Sequence, residues 1–454
     1  MKNRKNGADD IKMKLTNAIS LGIKNYIADF GELGQFTELD TLGDLWDLGG
    51  FKPYFSRNRK LNLEKMVSLL LSMQGSSLNK ELHDAGIDVT ASAFVQQRDK
   101  ISPLLFEYVH EQFNSMCDDS KTYKGYKIYA VDGTTVNMAR NPMSDTFMKT
   151  SSIPKGYNQF HVTPLYDILN KTYSHCIIQP QPQQDEVGAL TAILKFYEFP
   201  PKTLIVADRG FGAYNVIAHF LENDNVSFLI RVKQNHGAMR EIKSLPMEEL
   251  DKNISFILTT TQTNEDKTQN HIFLNIPKDK TRNYQARKQR WDFGSPYLMS
   301  FRVVRFQLET GEYETLVTNL PQDFSLSEIK ELYHSRWGIE TAFRELKYGI
   351  GLTNLHSKKD DYVRQEIYAA LIMSNFSNRI SSLAVIKKKK GNIHEYKINA
   401  KMAYYLCREF YRTKDADGEQ LLKNICRYTE PIRPGRRDER KIKAKSFVGF
   451  VYRV

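Results

Sequence analysis

The sequence predicts an α/β core with a mixed sheet, interrupted by a β-rich insertion and flanked by helical N-terminal and C-terminal regions. Three observations predict this fold class. Residues 127–232 alternate as strand, hairpin, helix, strand, helix and strand. Strand-like pieces dominate residues 233–325. Before residue 120 and after residue 325, apolar residues recur at helical spacing.

The first segment, residues 1–120, is predicted to be a helical N-terminal DNA-binding region. Leu61–Met73 carries apolar residues at helical spacing. Val89–Ile101 begins with capping residues and continues as a helix in which Arg98 is a polar position. Short helices joined by turns can enter a DNA groove, so we expect DNA contact by this region. A helical bundle with a purely structural role is the alternative.

Residues 121–232 are predicted to form the first part of the core. Ile128–Asp132 and Thr203–Ala207 are apolar runs that predict strands, and Phe160–Ile168 pairs with Thr172–Ile178 in a predicted hairpin. Continuous apolar runs are typical of strands that are covered on both faces. The strands that precede Asp132 and Asp208 are therefore expected to be central in the sheet.

The remaining segments are a β-rich insertion at 233–325, a core completion at 326–385 that contains the helix of Glu340, and a basic helical C-terminal region at 386–454. The positive charge peaks in Lys387–Lys390 and in Arg433–Lys445. Such runs are often only solvated. With a net charge of +12 and a pI near 9.2, contact with phosphates is the favoured interpretation, and the expected partner is a polyanion.

Other features of the composition exclude several classes of protein. The four cysteines have neither CxxC spacing nor zinc spacing, which predicts free thiols in a reducing cytoplasm. No apolar segment follows the basic N-terminus, and no uninterrupted apolar run reaches about 18 residues, so neither a signal peptide nor a membrane span is expected.

Three carboxylates suggest a catalytic site. Asp132 in YAVDGTTV and Asp208 in LIVADRGFG each end an apolar run and precede a Gly or Arg-Gly turn, which delivers an acid to the end of a buried strand. Glu340 lies in YHSRWGIETAFRELK. Acids that are brought together repel each other unless a divalent cation binds them. Metal-binding acids in a basic protein indicate phosphodiester chemistry on nucleic acid.

The segment around Glu340 is predicted to be one helix with a polar edge. Tyr333, Arg336, Glu340 and Lys347 lie at offsets 0, 3, 7 and 14, which places them within about 60° of one another on a helix. Glu345 falls on a different side and is expected to be solvated. The helix is expected to end near Gly349 and Gly351. A surface helix with an Arg–Glu pair is the alternative for this segment alone.

These residues carry a resemblance to a known family. The pattern Tyr-x2-Arg-x3-Glu-x6-Lys resembles the Tyr-Arg-Glu-Lys signature of DDE transposases of bacterial insertion sequences. Asp132-Gly133-Thr134 and Asp208-Arg209-Gly210-Phe211 resemble the two aspartate blocks of that family, and His356–Lys359 resembles the segment after the glutamate. The resemblance extends over about residues 88–380.

The resemblance implies a ribonuclease-H-like core in which Asp132, Asp208 and Glu340 are catalytic and hold two Mg²⁺ ions, which Mn²⁺ can replace. Arg336 and Lys347 would grip DNA phosphates, and Tyr333 would hydrogen-bond or stack nearby. It also implies an aromatic residue in the insertion that holds a flipped base, for which Trp291 is the first candidate and Tyr313 the second.

The predicted function is that of a transposase, which binds the ends of an insertion sequence, cleaves double-stranded DNA and joins it to target DNA. Pairing of two ends implies at least a dimer on DNA, in the bacterial cytoplasm and associated with the nucleoid. The alternatives are a DNA-binding protein that has lost catalysis and a structure-specific nuclease on the same fold. A glycosidase with two carboxylates is a third, which the positive charge disfavours.

Overall fold

The computed structural model describes residues 7–36, 60–234, 239–276, 290–386 and 394–433. The basic run Lys387–Lys390 lies outside the described residues, as does all of Arg433–Lys445 except its first residue. The predicted phosphate contacts of these two runs therefore stay predictions.

One sheet of 11 strands runs through the molecule in the order β2-β4-β1-β6-β7-β11-β10-β8-β9, with β3 and β5 also paired to β4. A second, two-stranded sheet joins β12 to β13. The strands are β1 Lys127–Val131, β2 Thr134–Met138, β3 Phe147–Thr150, β4 Ile153–Asp167, β5 Thr172–Pro180, β6 Thr203–Ala207, β7 Val226–Arg231, β8 Leu250–Thr259, β9 Ile272–Phe273, β10 Tyr297–Gln307, β11 Tyr313–Thr318, β12 Glu395–Ile398 and β13 Thr429–Ile432.

Helices cover the sheet and form both terminal regions. In the described residues the α-helices are α1 Gly7–Phe36, α2 Leu63–Ser72, α3 Leu78–Asp84, α4 Ala91–Arg98, α5 Leu104–Met116, α6 Glu186–Phe196, α7 Tyr214–Leu221, α8 Arg240–Lys243, α9 Asn264–Thr268, α10 Leu326–Ser335, α11 Trp337–Arg344, α12 Asp360–Leu383, α13 Ala400–Arg412 and α14 Gly418–Arg427. A mixed α/β architecture with helical terminal regions is confirmed.

The two predicted central strands lie side by side. β1 and β6 are parallel neighbours, and β6 is in turn parallel to β7. The β4–β5 hairpin is also present as predicted. Every residue of β6 is buried, as expected for a strand that is covered on both faces. The carboxyl ends of β1 and β6 therefore meet at one edge of the sheet.

Side chains of alternate residues along these strands enter two different cores. Val131 and Ala207 pack with α6 and α7 on one face of the sheet. Ile128 and Val206 pack with α10 on the other face, where Ala130 packs with α11 and α12. Because side chains along a strand alternate between faces, the next residues, Asp132 and Asp208, are directed toward the face of α10 and α11.

The β-rich segment contains β8, β9, β10 and β11, in agreement with the strand-like pieces predicted for residues 233–325. β11 pairs with β7, and β10 and β8 extend the same sheet outward. The edge of β7 supplies unpaired backbone groups, and antiparallel pairing with β11 satisfies them. The boundaries proposed for this and the other segments stay predictions.

The N-terminal helices follow the predicted pattern, with one correction. Thr90 caps α4 by accepting a hydrogen bond of 3.1 Å from Ala93 N. Arg98, predicted as a polar position, is only 2% exposed, and its Nη2 pairs with Glu366 Oε1 at 2.9 Å. The side chain is therefore used to dock α4 onto α12 and is unavailable to a DNA groove.

Among the helices of the described ranges, none combines the length and the apolar character that a membrane span requires.

Candidate active site

The two aspartates lie next to each other at the carboxyl edge of β1 and β6. Val131 and Ala207 are paired in register, so Asp132 and Asp208 follow at equivalent positions. The backbone N–H of Gly133 donates to Oδ1 of Asp132 at 2.9 Å, which fixes that carboxylate beside its own turn. The chain after Asp208 turns immediately into a short 3₁₀ helix, Arg209–Phe211. Both acids are thus delivered to the strand ends as the sequence predicted.

The third acid comes from a helical segment that is not uniform. α10 begins with a capping box between Ser325 and Glu328 and continues at Arg336 into α11. The backbone then widens into a π-helix, Glu345–Ile350, which ends at Gly351 with a φ of +97°. The predicted end of the helix is confirmed. The count of 100° per residue, however, stops applying before Lys347, because a π turn contains more residues than an α turn.

Arg336 connects two of the predicted catalytic acids. Its side chain is 6% exposed, with Nη1 at 3.3 Å from Asp132 Oδ2 and Nη2 at 3.0 Å from Glu340 Oε1. The hydroxyl of Tyr333 donates to Oδ1 of Asp208 at 3.2 Å. Helices α10 and α11 therefore bring Tyr333, Arg336 and Glu340 to the two aspartates at the sheet edge.

Burial dominates the electrostatics of this cluster. It raises the pKa of Asp132, an effect that the Gly133 N–H and Arg336 oppose and that Glu186 and Glu340 reinforce. Burial alone would lower the pKa of Arg336, but the hydrogen bond to Glu340 and the neighbouring acids raise it. Arg336 therefore stays charged and offsets part of the repulsion between the carboxylates.

Two other expectations for this helical segment have different outcomes. Lys347 is half-buried, burial lowers its pKa, and it makes no ion pair within the described ranges, so its predicted phosphate contact stays a prediction. The expectation that Glu345 is solvated was wrong. Its carboxylate accepts a hydrogen bond of 3.1 Å from the hydroxyl of Tyr404, because α13 packs against the π-helix.

The donor set at this edge is made of carboxylate oxygens, the ligands that Mg²⁺ and Mn²⁺ favour. Within the part of the chain that the structure describes, no three His, Cys, Asp or Glu side chains are placed to hold a metal ion together. The guanidinium of Arg336 lies between Asp132 and Glu340, whose side chains are 27% and 39% exposed. The types of ligand thus fit these metals, while Arg336 neutralises two of the acids.

The two aromatic candidates lie in different surroundings. Trp291 is half-buried, donates its Nε1–H to Gly294 O at 3.1 Å and packs edge-on against Tyr297. It also lines a cavity of about 590 Å³ that reaches Arg209, next to Asp208, and whose further lining includes Lys233, Arg240 and Arg290. Tyr313 is half-buried at the start of β11 and is not part of that lining.

Comparison with known families decides what kind of domain carries this cluster. Residues 123–376, more than half of the chain, match the family model described as a transposase DDE domain. The chain belongs to the transposase DDE-domain family. The matched range contains Asp132, Asp208 and Glu340, and it spans the sheet together with α6, α7, α10 and α11.

Individual relatives of this transposase-family protein match shorter stretches. The transposase of insertion sequence element IS421 from Escherichia coli is 36% identical over 73 residues, which is 16% of this chain and 20% of that protein. InsL of insertion sequence element IS186A from Escherichia coli K12 gives the same values. The match thus spans one fifth of the length of these relatives. A piggyBac transposase in a synaptic complex with hairpin DNA aligns with 84% of this chain and 81% of its own, at 12% identity and a TM-score of 0.41.

The transposase domain contains three further residues that the sequence did not single out for the cluster. Glu186, the first residue of α6, lies close enough to raise the pKa of Asp132. Glu314 on β11 pairs with Arg231 at 3.4 Å, and burial raises its pKa, as does the charge of Asp208. Trp337 is 53% exposed, and the Arg336 guanidinium lies 5.0 Å from its ring centre. For Trp337, the sequence did contain one indication, an aromatic residue directly after Arg336.

Proposed function

We propose that this protein is a transposase that binds the ends of an insertion sequence, cleaves the DNA and joins it to a target, with Asp132, Asp208 and Glu340 at the catalytic centre. The observation that carries the proposal is the pair of contacts from Arg336 to Asp132 and Glu340 beside the Tyr333–Asp208 hydrogen bond. Five residues from three distant segments of the sequence converge there through polar contacts.

Asp132, Asp208 and Glu340 would hold two Mg²⁺ ions, or Mn²⁺ in their place. When bound, such ions supply activation of an attacking hydroxyl and stabilisation of the leaving oxygen in an in-line displacement. The partly exposed side chains of Asp132 and Glu340 have room to rotate away from Arg336. The ribonuclease-H-like character of the core is part of the same proposal, supported by the adjacent parallel strands that carry the two aspartates.

The proposal also assigns roles to Arg336, Tyr333 and Lys347, which lie on the helical segment that carries Glu340. Arg336 would exchange a carboxylate for a phosphate oxygen of the DNA backbone, because its planar guanidinium can bind either with two parallel hydrogen bonds. Tyr333, held at Asp208, would orient that carboxylate and contact the DNA. Lys347, half-buried on the π-helix, would contribute a phosphate contact farther along the strand.

Trp291 would hold an unpaired base beside the cleavage site. The cavity that it lines carries the side chains of Lys233, Arg240 and Arg290, whose charge suits a nucleotide phosphate. Double-stranded DNA, from both element ends and the target, is the proposed partner, with at least two protein chains in the paired complex. The proposed location is the bacterial cytoplasm, on the nucleoid.

A labelled DNA duplex that carries the element end tests this function. The full-length protein, incubated with Mg²⁺ and an unlabelled target, is expected to cut at the element boundary and to yield a longer, joined product on a denaturing gel. Cleavage without joining would identify the structure-specific nuclease instead. Binding without either product, in Mg²⁺ and in Mn²⁺, would identify a DNA-binding protein that has lost catalysis.

Arg336→Lys is expected to lower the rate of cleavage by about 10- to 100-fold, as outer-shell partners of metal ligands usually do. Lysine keeps the positive charge, but its single ammonium cannot donate along two directions to Asp132 and Glu340 at once. Single-turnover cleavage of the element-end duplex measures the effect. The matched control is Arg344→Lys, an exposed position at the end of α11, which should cleave at the wild-type rate. Equal rates for the two variants would contradict the role of Arg336.

Trp291→Ala is expected to weaken binding of an element-end duplex with one unpaired base by about 1–3 kcal/mol, the range for loss of a stacked base. Binding of the fully paired duplex should change much less. Trp291→Phe is the matched variant, since it keeps a ring against Tyr297 and should retain most of the affinity. Fluorescence anisotropy measures all three proteins. Equal losses on both duplexes would show that Trp291 serves only the packing of its aromatic cluster.

A further inference from the structure

A further carboxylate, that of Glu186, lies beside Asp132 on the face of the sheet opposite Glu340. Glu186 is the first residue of α6, a helix that packs with Val131 on the face away from α10 and α11. A Cβ placed on Gly133 would lie 2.3 Å from Glu186 Oε1. The Glu186 carboxylate therefore rests against the residue that follows Asp132, with a side chain that is 31% exposed.

A buried histidine is directed into the same space. His161, on β4, is 3% exposed, and neither ring nitrogen forms a hydrogen bond of regular geometry with the described residues. Its Nε2 lies 3.1 Å from Glu186 Oε1 and 2.4 Å from where a Cβ on Gly133 would be. A buried polar group without a well-aligned partner costs free energy, so its presence calls for an explanation.

A role in starting the helix does not explain this arrangement. Acidic residues are common in the first turn of a helix, where they interact with the helix dipole. The capping position of α6 is already filled by Asp185, whose Oδ1 accepts from Gly188 N at 2.9 Å. Interaction with the dipole would not require a buried imidazole beside the Glu186 carboxylate or a glycine against it.

The charges at this edge of the sheet also indicate a bound cation. Glu186 adds a carboxylate next to Gly133, the residue that directly follows Asp132. A cluster of acids from both faces of the sheet is costly without cations, and among the described residues only Arg336 pairs with Asp132 and Glu340. The number of charged ligands sets the affinity of a site for a divalent cation.

We propose that Glu186 is a fourth carboxylate ligand of the divalent-cation site, and that His161 is the positioning residue that holds it against Gly133. This inference rests on the proposed function, because it concerns the same Mg²⁺ or Mn²⁺ site. Glycine at position 133 leaves the space into which Glu186 and His161 converge. α6 thus supplies a ligand from one face of the sheet, and α11 supplies Glu340 from the other.

A Mn²⁺-binding titration of the whole chain tests the inference without an activity assay. Electron paramagnetic resonance detects binding as a loss of the signal of free Mn²⁺. Glu186→Gln, which keeps the size of the side chain, is expected to weaken Mn²⁺ binding by about tenfold or more. Glu198→Gln is the matched control, since it removes the same charge from an exposed position just beyond the far end of α6. His161→Asn, which removes no carboxylate, is expected to give a smaller loss.

Thermal unfolding in metal-free buffer separates a ligand role from a structural one. Glu186→Gln should melt no lower than wild type, because it removes a charge that repels Asp132. In the cleavage assay, raising the Mn²⁺ concentration should recover much of its rate, whereas a structural defect would not respond to metal. A lowered melting temperature with no recovery would overturn the assignment.

Asp132→Ala distinguishes failure of this inference from failure of the proposed function. Weakened Mn²⁺ binding in Asp132→Ala, with wild-type binding in Glu186→Gln, would overturn only the role of Glu186. Wild-type Mn²⁺ binding in Asp132→Ala would overturn the proposed metal site, and the inference with it. Weakened binding in both variants, with no change in Glu198→Gln, supports the four-carboxylate site.

Discussion

Alanine at Asp132, at Asp208 or at Glu340 is expected to abolish strand cleavage, lowering its rate by about 10³-fold or more, as removal of a central catalytic group commonly does. Each substitution removes a hard oxygen ligand that nothing nearby on its own strand or helix can replace. DNA binding should persist, because the positive surface that attracts phosphates is unchanged. Single-turnover cleavage and a gel mobility shift, run on the same element-end duplex, measure the two properties separately.

Glu331→Ala is the matched control for these variants, since Glu331 is an exposed acid on α10 near Tyr333. It should cleave at the wild-type rate. Cleavage retained by Asp132→Ala, Asp208→Ala or Glu340→Ala would remove that acid from the catalytic centre. Because the match to the transposase DDE domain covers all three positions, such a result would separate family membership from this assignment of residues.

The thermal stability of an Asp132→Asn variant shows whether a loss of cleavage on substitution of Asp132 results from misfolding. Burial raises the pKa of Asp132 in the folded protein, so the folded state favours the protonated acid. The ionised carboxylate therefore lowers stability as the pH rises through the unfolded and then the folded pKa, and this cost is fully present above the folded pKa. Asp132→Asn should melt at the same temperature as wild type or higher in metal-free buffer at pH 7. A clear drop would indicate a folding defect.

Glu81→Ala is expected to lower the free energy of unfolding by about 3–5 kcal/mol, the usual cost of breaking a buried ion pair from one side. Glu81 on α3 has no exposed side-chain surface, and it pairs with Arg412 of α13. It also accepts hydrogen bonds from Gln74 N at 2.8 Å and Ser76 N at 2.9 Å. Its removal leaves a mostly buried guanidinium and two backbone donors without their partner. Denaturation followed by circular dichroism measures the loss.

Glu409→Ala is the matched comparison for Glu81→Ala. Glu409 also approaches Arg412, at 3.9 Å, but its side chain is 45% exposed. Its loss should cost less than about 1 kcal/mol, as for exposed ion pairs in general. Similar losses of unfolding free energy in the two variants would show that burial does not increase the contribution of the Glu81–Arg412 pair to stability. Glu81 connects the N-terminal helices to the C-terminal helix α13, so this pair reports on how the two terminal regions are held together.

The sequence predicted those parts of the site that depend on local rules. An apolar run followed by an acid and a glycine places the acid at the end of a strand, whatever the neighbours of that strand are. Asp132 and Asp208 are delivered in this way. Arg336 and Glu340 are four residues apart, which is enough to predict that they can pair on a helix. The end of the π-helix at Gly351 was also predictable, because glycine is the residue type that adopts a positive φ without strain.

Contacts between distant segments could not be predicted. Arg98 was predicted as a polar position of its helix, but its acid partner, Glu366, lies 268 residues away in the sequence. The strands of the predicted insertion continue the central sheet, because β7 offers a free edge that no local pattern records. Glu345 was expected to be solvated, but Tyr404 of α13 donates a hydrogen bond to its carboxylate.

Local sequence patterns were sufficient to predict the main strands and helices, the acids at their ends and, through the matching motifs, the transposase family. The meeting of distant charges depended on tertiary packing: Arg336 pairs with Asp132 across 204 residues, and Glu186 lies against His161 on the face of the sheet opposite α11. The difference arises from the range of the interactions. Hydrogen bonds within a helix, and the alternation of side chains along a strand, involve near neighbours in the chain, whereas the pairing of strands and the packing of helices set the distances between remote charges.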